Sequence, residues 1–248
     1  MKCFIFLLGI SIGSFLNVCI YRIPIKQPIS FPSSQCPQCG NFLRPMDLIP
    51  ILSYILCKGK CRYCQKSISV QYPLVELLNG ILYILIFAKY HLTADFFKYS
   101  FFVSLLIVIS CIDLKYQIIP SACNLSGLIV AGFFLFVSFR ASMWFDAMIG
   151  GLLGGGILFA IALLTNGMGG GDVKLMAVLG LVFGGQKIVL LMILSFILGA
   201  FVSLILLLMR RKKRKDWIPF APFIAAAGCF VILWETEIIN WYLNIFVR

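Results

Sequence analysis

The sequence predicts an all-α polytopic membrane protein of about eight transmembrane helices with one small polar loop domain. Three observations predict this class. Of 248 residues, 61% are hydrophobic and only 12% are charged, with a mean hydropathy of +1.02, whereas soluble domains are about a quarter charged. Apolar runs recur along the chain, most of them near the roughly 20 residues that cross a hydrocarbon core of about 30 Å. One long polar stretch, residues 22–73, interrupts them.

The first run is Phe4–Tyr21. No small-residue cleavage site of the A-x-A type follows it, so it reads as a retained span and not as a signal peptide. Residues 22–73 are rich in Pro, Cys, Lys and Arg. Further runs lie at Leu74–Ala88, Phe97–Ile112, Ala122–Phe139, Ala147–Leu164, Val173–Phe183, Ile188–Met209 and Ile218–Trp234. Val173–Phe183 is short for a span. Gly150, Gly151, Gly154, Gly155 and Gly156 give small-xxx-small spacing in the fifth run, which suits close helix packing in lipid. The expected organisation is a first span at 1–21, a loop domain at 22–73 and a membrane domain at 74–248.

Charge orients the spans. The formal net charge is +12, but the basic residues sit in gaps between apolar runs and no aromatic-basic nucleic-acid motif appears, so no nucleic-acid partner is expected. With the 22–73 loop in the cytoplasm and alternating spans, fifteen basic residues fall inside, including the run Arg210–Lys215, and six fall outside. That is the positive-inside bias. A non-crossing Val173–Phe183 would put Arg210–Lys215 on the wrong side. Both termini are then expected outside.

Six of ten cysteines (Cys3, Cys19, Cys57, Cys111, Cys123, Cys229) lie in or beside apolar runs and read as small core hydrophobes. The other four differ. Cys36-Pro-Gln-Cys39 and Cys61-Arg-Tyr-Cys64 repeat C-x2-C across a gap of 21 residues, the ribbon pattern for a closed tetrahedral zinc site of four thiolates. Two disulfides are the rival arrangement, and a reducing cytoplasm disfavours them. Four thiolates leave no open position, so the metal is expected to be structural, holding a zinc-ribbon-like loop too small to fold on its own core.

Only nine acidic residues exist. Asp113 closes the apolar run Phe101–Ile112, and Asp172 follows the glycine-rich stretch Gly167–Gly171 at the start of another run. The expected topology puts both at the same depth on the cytoplasmic face, where an ionisable residue is a functional candidate. Taken singly, Asp172 could be a helix N-cap and Asp113 a partner of Lys115. Taken together, two close carboxyls can share one proton, one activating a water while the other donates to a carbonyl oxygen. A transporter using the pair as a proton relay is the competing reading, and a scaffold docking a partner through the cysteine loop is another.

Several motifs resemble, in order and over most of the chain, the type IV prepilin peptidases, bacterial members of the GxGD aspartyl proteases. They are Gly13-Ser-Phe-Leu-Asn17, Tyr21-Arg-Ile-Pro24, the paired cysteines, Asp47-Leu-Ile-Pro50, Leu52-Ser-Tyr54, Gly59-Lys-Cys-Arg62 and Tyr72-Pro-Leu-Val-Glu-Leu77. Asp113 with Ile119-Pro120, Gly169-Gly-Gly-Asp172-Val-Lys174 and Ile218-Pro-Phe-Ala-Pro-Phe223 complete the set. Ser121 departs from the acidic or amide residue that the family often carries there.

The resemblance implies that Asp113 and Asp172 are the catalytic pair. It implies a bacterial inner-membrane enzyme, embedded among membrane lipids, that acts on prepilins or pseudopilins. In these a basic leader ends in glycine, usually followed by phenylalanine and an apolar helix held in the membrane. It also implies N-methylation of the new terminus from S-adenosylmethionine, with Gly59 and Lys60 at positions linked to that step. No glycine-rich dinucleotide fingerprint exists. Glu76, near the start of the second span, reads as a helix-end hydrogen-bond partner ahead of a role in that transfer.

Overall fold

A computed structural model describes residues 1–138, 141–165, 167–209 and 218–246. Eight α-helices are present among them: α1 (Lys2–Arg22), α2 (Leu52–Leu56), α3 (Gln71–Tyr90), α4 (Ala94–Tyr116), α5 (Ser121–Ser138), α6 (Ala141–Thr165), α7 (Gly170–Leu208) and α8 (Ala221–Phe246), with a short 3-10 turn at Pro45–Leu48. Six of these, α1 and α3 to α7, are long and apolar enough to cross a membrane, and Ala221–Glu235 in α8 is a shorter apolar helix. Each expected run lies within or overlaps one of these helices. The helices overshoot several runs by a few residues, because hydropathy marks the lipid-facing middle while backbone hydrogen bonding continues to the ends. Arg210–Lys215, Arg140 and Arg248, used in the charge argument, lie outside the described residues.

The runs 173–183 and 188–209 fall in one element, α7, with a break at Gly184 (φ 78°, ψ 177°). The break is a reversal. A Cβ on Gly154 of α6 would meet both Met176 O at 2.6 Å and Ile188 Cγ1 at 3.0 Å, whereas a straight helix would hold those residues about 18 Å apart. Only glycine takes such a backbone angle readily, and the Asp146 carboxylate accepts the following Gly185 N–H at 2.9 Å. Counting α7 as two limbs gives eight apolar helical segments, one for each expected run, while six helices as wholes are long and apolar enough to cross. The first limb, residues 170–183, rises only about 21 Å.

The residues cluster into two compact units, 1–108 and 109–248, with the division inside α4. In the first unit α1 and α3 pack antiparallel. Gly9 faces Gly80, where a Cβ would come 2.8 Å from the opposite Cα. A buried polar chain runs from Gly9 O to Asn79 Nδ2 at 2.7 Å, then from Asn79 Oδ1 to Ser104 Oγ at 2.9 Å and on to Tyr83 OH at 3.1 Å. In lipid such bonds join helices that have no hydrophobic drive to associate. In the second unit α6 and the first limb of α7 meet through Gly150 and Gly180, each facing the other's backbone. Gly150, Gly151, Gly154 and Gly155 all face α7 and form a packing seam, as their spacing suggested, whereas a Cβ on Gly156 would meet nothing within 4 Å.

Candidate active site and metal centre

Asp113 lies one turn before the end of α4 and is only 6% exposed. Its Oδ2 accepts the Ala221 N–H, at the start of α8, at 3.1 Å. The helix begins there because Pro219 and Pro222 frame it: Ile218 and Pro219 lie outside regular structure and the chain turns helical at Ala221, as proline at a helix start allows. Lys115 does not pair with Asp113. It lies over the Tyr116 ring at 5.2 Å.

Asp172 sits in the first turn of α7, whose N-cap is Gly169. It is therefore not the capping residue itself. The glycines allow a close approach: a Cβ on Gly171 would lie 2.9 Å from Ile119 Cβ, and Asn124 Nδ2 of α5 donates to Gly171 O at 3.4 Å. Asp113 and Asp172 line one cavity of about 400 Å³, together with Gln117, Gly167, Met168, Gly169, Ile218, Pro219 and Phe220. Three chain segments converge here, and the two carboxylates are the only formal charges among the lining residues.

Asn124 is buried and holds the glycine turn in place, a role that sequence reasoning missed. An amide four residues past Ile119-Pro120, inside an otherwise apolar run, was the signal available. Gln117 and Phe220 were likewise not singled out as cavity residues.

The four loop cysteines also converge. The Sγ atoms of Cys36, Cys39, Cys61 and Cys64 all lie within 4.8 Å of one another, with Cys36 and Cys64 at 4.0 Å, and none of these four is in a disulfide. Tetrahedral zinc with bonds of about 2.3 Å holds its sulfurs about 3.8 Å apart, so a small contraction fits this donor set to such an ion. Each C-x2-C pair forms a matching knuckle. Cys36 N–H donates to Asn41 O and Gly40 N–H to Cys36 O; Cys61 N–H donates to Lys66 O and Gln65 N–H to Cys61 O.

Burial raises the Cys36 thiol, but the amides of Cys39 and Gln38 and the neighbouring sulfurs bring it down to about 7. The Asn41 amide lowers the Cys39 thiol, yet burial and the adjacent Cys36 and Cys64 sulfurs push it up to about 11. One thiolate is thus at hand near neutrality, and metal binding would displace the remaining protons.

Gly59 (φ 70°) and Lys60 form the base of the second knuckle, where Lys60 bridges to Ser67 and Gly59 O accepts the Ile68 N–H at 2.8 Å. Asp47 braces the same knuckle: its carboxylate pairs with Arg62 Nε at 3.1 Å and accepts Tyr63 OH at 3.0 Å and the Arg44 N–H at 3.1 Å. The buried Glu76 accepts the Ile51 N–H at 2.7 Å. Its bond ties the loop to α3.

Two family models match the chain. Residues 7–90 match the bacterial peptidase A24 N-terminal domain, and residues 100–204 match the type IV leader peptidase family. A prepilin leader peptidase/N-methyltransferase of Bacillus subtilis is 33% identical over 98% of this chain and 98% of its own length. One of Pseudomonas aeruginosa is 34% identical over 96% of this chain and 92% of its own. A Myxococcus xanthus relative of the same name is 39% identical over 61% of this chain and 45% of its own length. No solved structure matches. Near-full-length likeness to these proteins, joined to both domain matches, makes this chain a member of the type IV leader peptidase family.

Proposed function

We propose that the protein is an intramembrane aspartyl endopeptidase that removes the basic leader from prepilins or pseudopilins, cutting after glycine and before phenylalanine. The observation that carries this reading is the single cavity lined by Asp113 and Asp172. Two carboxyls that line one cavity resist joint ionisation and hold one proton between them. The ionised partner takes a proton from water as its oxygen attacks the scissile carbonyl carbon. The protonated partner donates to the carbonyl oxygen. Collapse of the tetrahedral diol breaks the C–N bond: the departing amine takes the proton that one carboxyl gained from water, and a diol hydroxyl returns its proton to the other carboxylate.

The fifteen-to-six distribution of basic residues supports a cytoplasmic position for this centre in the bacterial inner membrane. The substrate's apolar helix would stay in lipid while its leader stays in the cytoplasm. Residues 22–73 would form a zinc-stabilised domain, with Cys36, Cys39, Cys61 and Cys64 as ligands. Methylation of the new N-terminus is assigned to that domain, near Gly59 and Lys60. S-adenosylmethionine would supply an electrophilic methyl group to the deprotonated terminal amine.

Purified protein in detergent, mixed with a prepilin-like precursor, tests the peptidase reading. Wild type is expected to remove the leader, and Asp113→Asn and Asp172→Asn to lose at least about 1000-fold in rate, since the bond-breaking pathway is lost while the fold is kept. Cleavage retained by either folded variant would remove that residue from the pair. Ion transport without cleavage would favour the relay.

A further inference from the structure

The loop between α1 and α3 presents an uncovered apolar face where it meets the membrane. α1 and α3 are antiparallel, with Asn17 Nδ2 donating to Tyr72 O at 3.1 Å, so the loop leaves and re-enters at one membrane face. It does not simply stand above that face. The Ile51 N–H donates to Glu76, in the second turn of α3, so the segment around Ile51 is tied to the first turns of the apolar helix.

Their side chains suit that position. Leu52 is 50% exposed, Ile55 62% and Leu56 69%, and Leu48 and Ile49 are exposed as well. No charged residue occurs between Asp47 and Lys58. In water, so many large apolar side chains on so short a segment would be a liability. Charge frames them. The loop, residues 22–73, carries seven basic residues against one acid. That acid, Asp47, is already engaged by Arg62, Tyr63 and the Arg44 amide. Arg44, Lys58 and Lys60 are exposed at the borders of the apolar stretch.

We propose that residues 48–56 form an interfacial foot, seated among the acyl chains of the leaflet from which the loop emerges and bordered by anionic lipid headgroups at Arg44, Lys58 and Lys60. An uncharged apolar segment flanked by cations is the pattern of a membrane-surface element, and anionic headgroups attract such basic borders within a Debye length. A foot of this kind anchors the cysteine knuckles at the bilayer surface, through Asp47 on one side and Gly59 on the other. The assignment depends on the chain being a membrane protein and not on its peptidase activity.

The test uses full-length protein in nanodiscs of phosphatidylcholine and phosphatidylglycerol, with and without brominated acyl chains. Above the native tryptophan signal, Ile55→Trp is expected to lose about half its added fluorescence or more to bromine. Gln38→Trp, at an exposed polar position in the first knuckle, is expected to lose almost none. Leu52→Trp is a second reporter if Ile55→Trp does not fold. Absence of quenching at 55 and 52, or equal quenching at 38, would overturn the foot. Quenching that is unchanged when phosphatidylglycerol is replaced by phosphatidylcholine would overturn the headgroup contacts.

Discussion

At position 65 the second cysteine knuckle carries a glutamine where the first carries Gly40. Both residues take positive φ, 58° and 72°, because each knuckle turns its chain back so that the i+4 amide can reach the first cysteine's carbonyl. A side chain in that region costs about 1–2 kcal/mol. Against this, Gln65 offers only an exposed hydrogen bond to Arg62 O at 3.3 Å. Gln65→Gly should therefore stabilise the folded loop by about 1 kcal/mol, seen as roughly fivefold tighter zinc retention against a competing chelator. Unchanged or weaker retention would mean that the strain is relieved elsewhere. The sequence could show two C-x2-C pairs; it could not show that their fifth positions share a backbone conformation.

At the scale of the elements, the α6–α7 seam decides whether Asp172 is held in place. Gly150 and Gly180 meet backbone to backbone, so a larger side chain there finds no flexible neighbour to displace. Gly180→Leu should cost about 3 kcal/mol, the upper end for overpacking, and should lower both thermal stability in detergent and leader cleavage. Wild-type stability would show that the limbs can slide apart freely. This seam was legible beforehand, since small residues four apart mark close helix contacts. The α7 reversal was legible too: Gly184-Gly185-Gln186-Lys187 interrupts the hydropathy of two apolar runs. The short α2 helix and the preceding 3-10 turn were not, because nothing periodic marks them and their placement depends on the Ile51–Glu76 bond across 25 residues. The Asn124–Gly171 contact was hidden for the same reason, its partners being 47 residues apart.

Across the whole chain, the two compact units, 1–108 and 109–248, follow the order of the two family matches, 7–90 and 100–204, the second of which begins inside the first unit. The cysteine cluster lies entirely in the first and the aspartate pair entirely in the second, so metal and carboxylates can be perturbed separately. Within the first unit, the α1–α3 pair is held by the Gly9–Gly80 approach and by the Asn79 bond to Gly9 O. Neither contact involves a cysteine. Removing the metal should therefore release the knuckles, which have almost no apolar core of their own, while leaving the membrane helices packed. A Cys36→Ser, Cys61→Ser variant should lose its bound zinc by elemental analysis, and equal metal content in variant and wild type would end the four-thiolate assignment. In the same variant, transfer of label from S-adenosylmethionine to trimmed product should fall at least about tenfold, the usual scale for disturbing a metal-ordered site. Leader cleavage should stay within about threefold, since the 400 Å³ cavity draws no side chain from the loop. Should cleavage fall in parallel with methyl transfer, the knuckles would have to contribute to substrate binding itself.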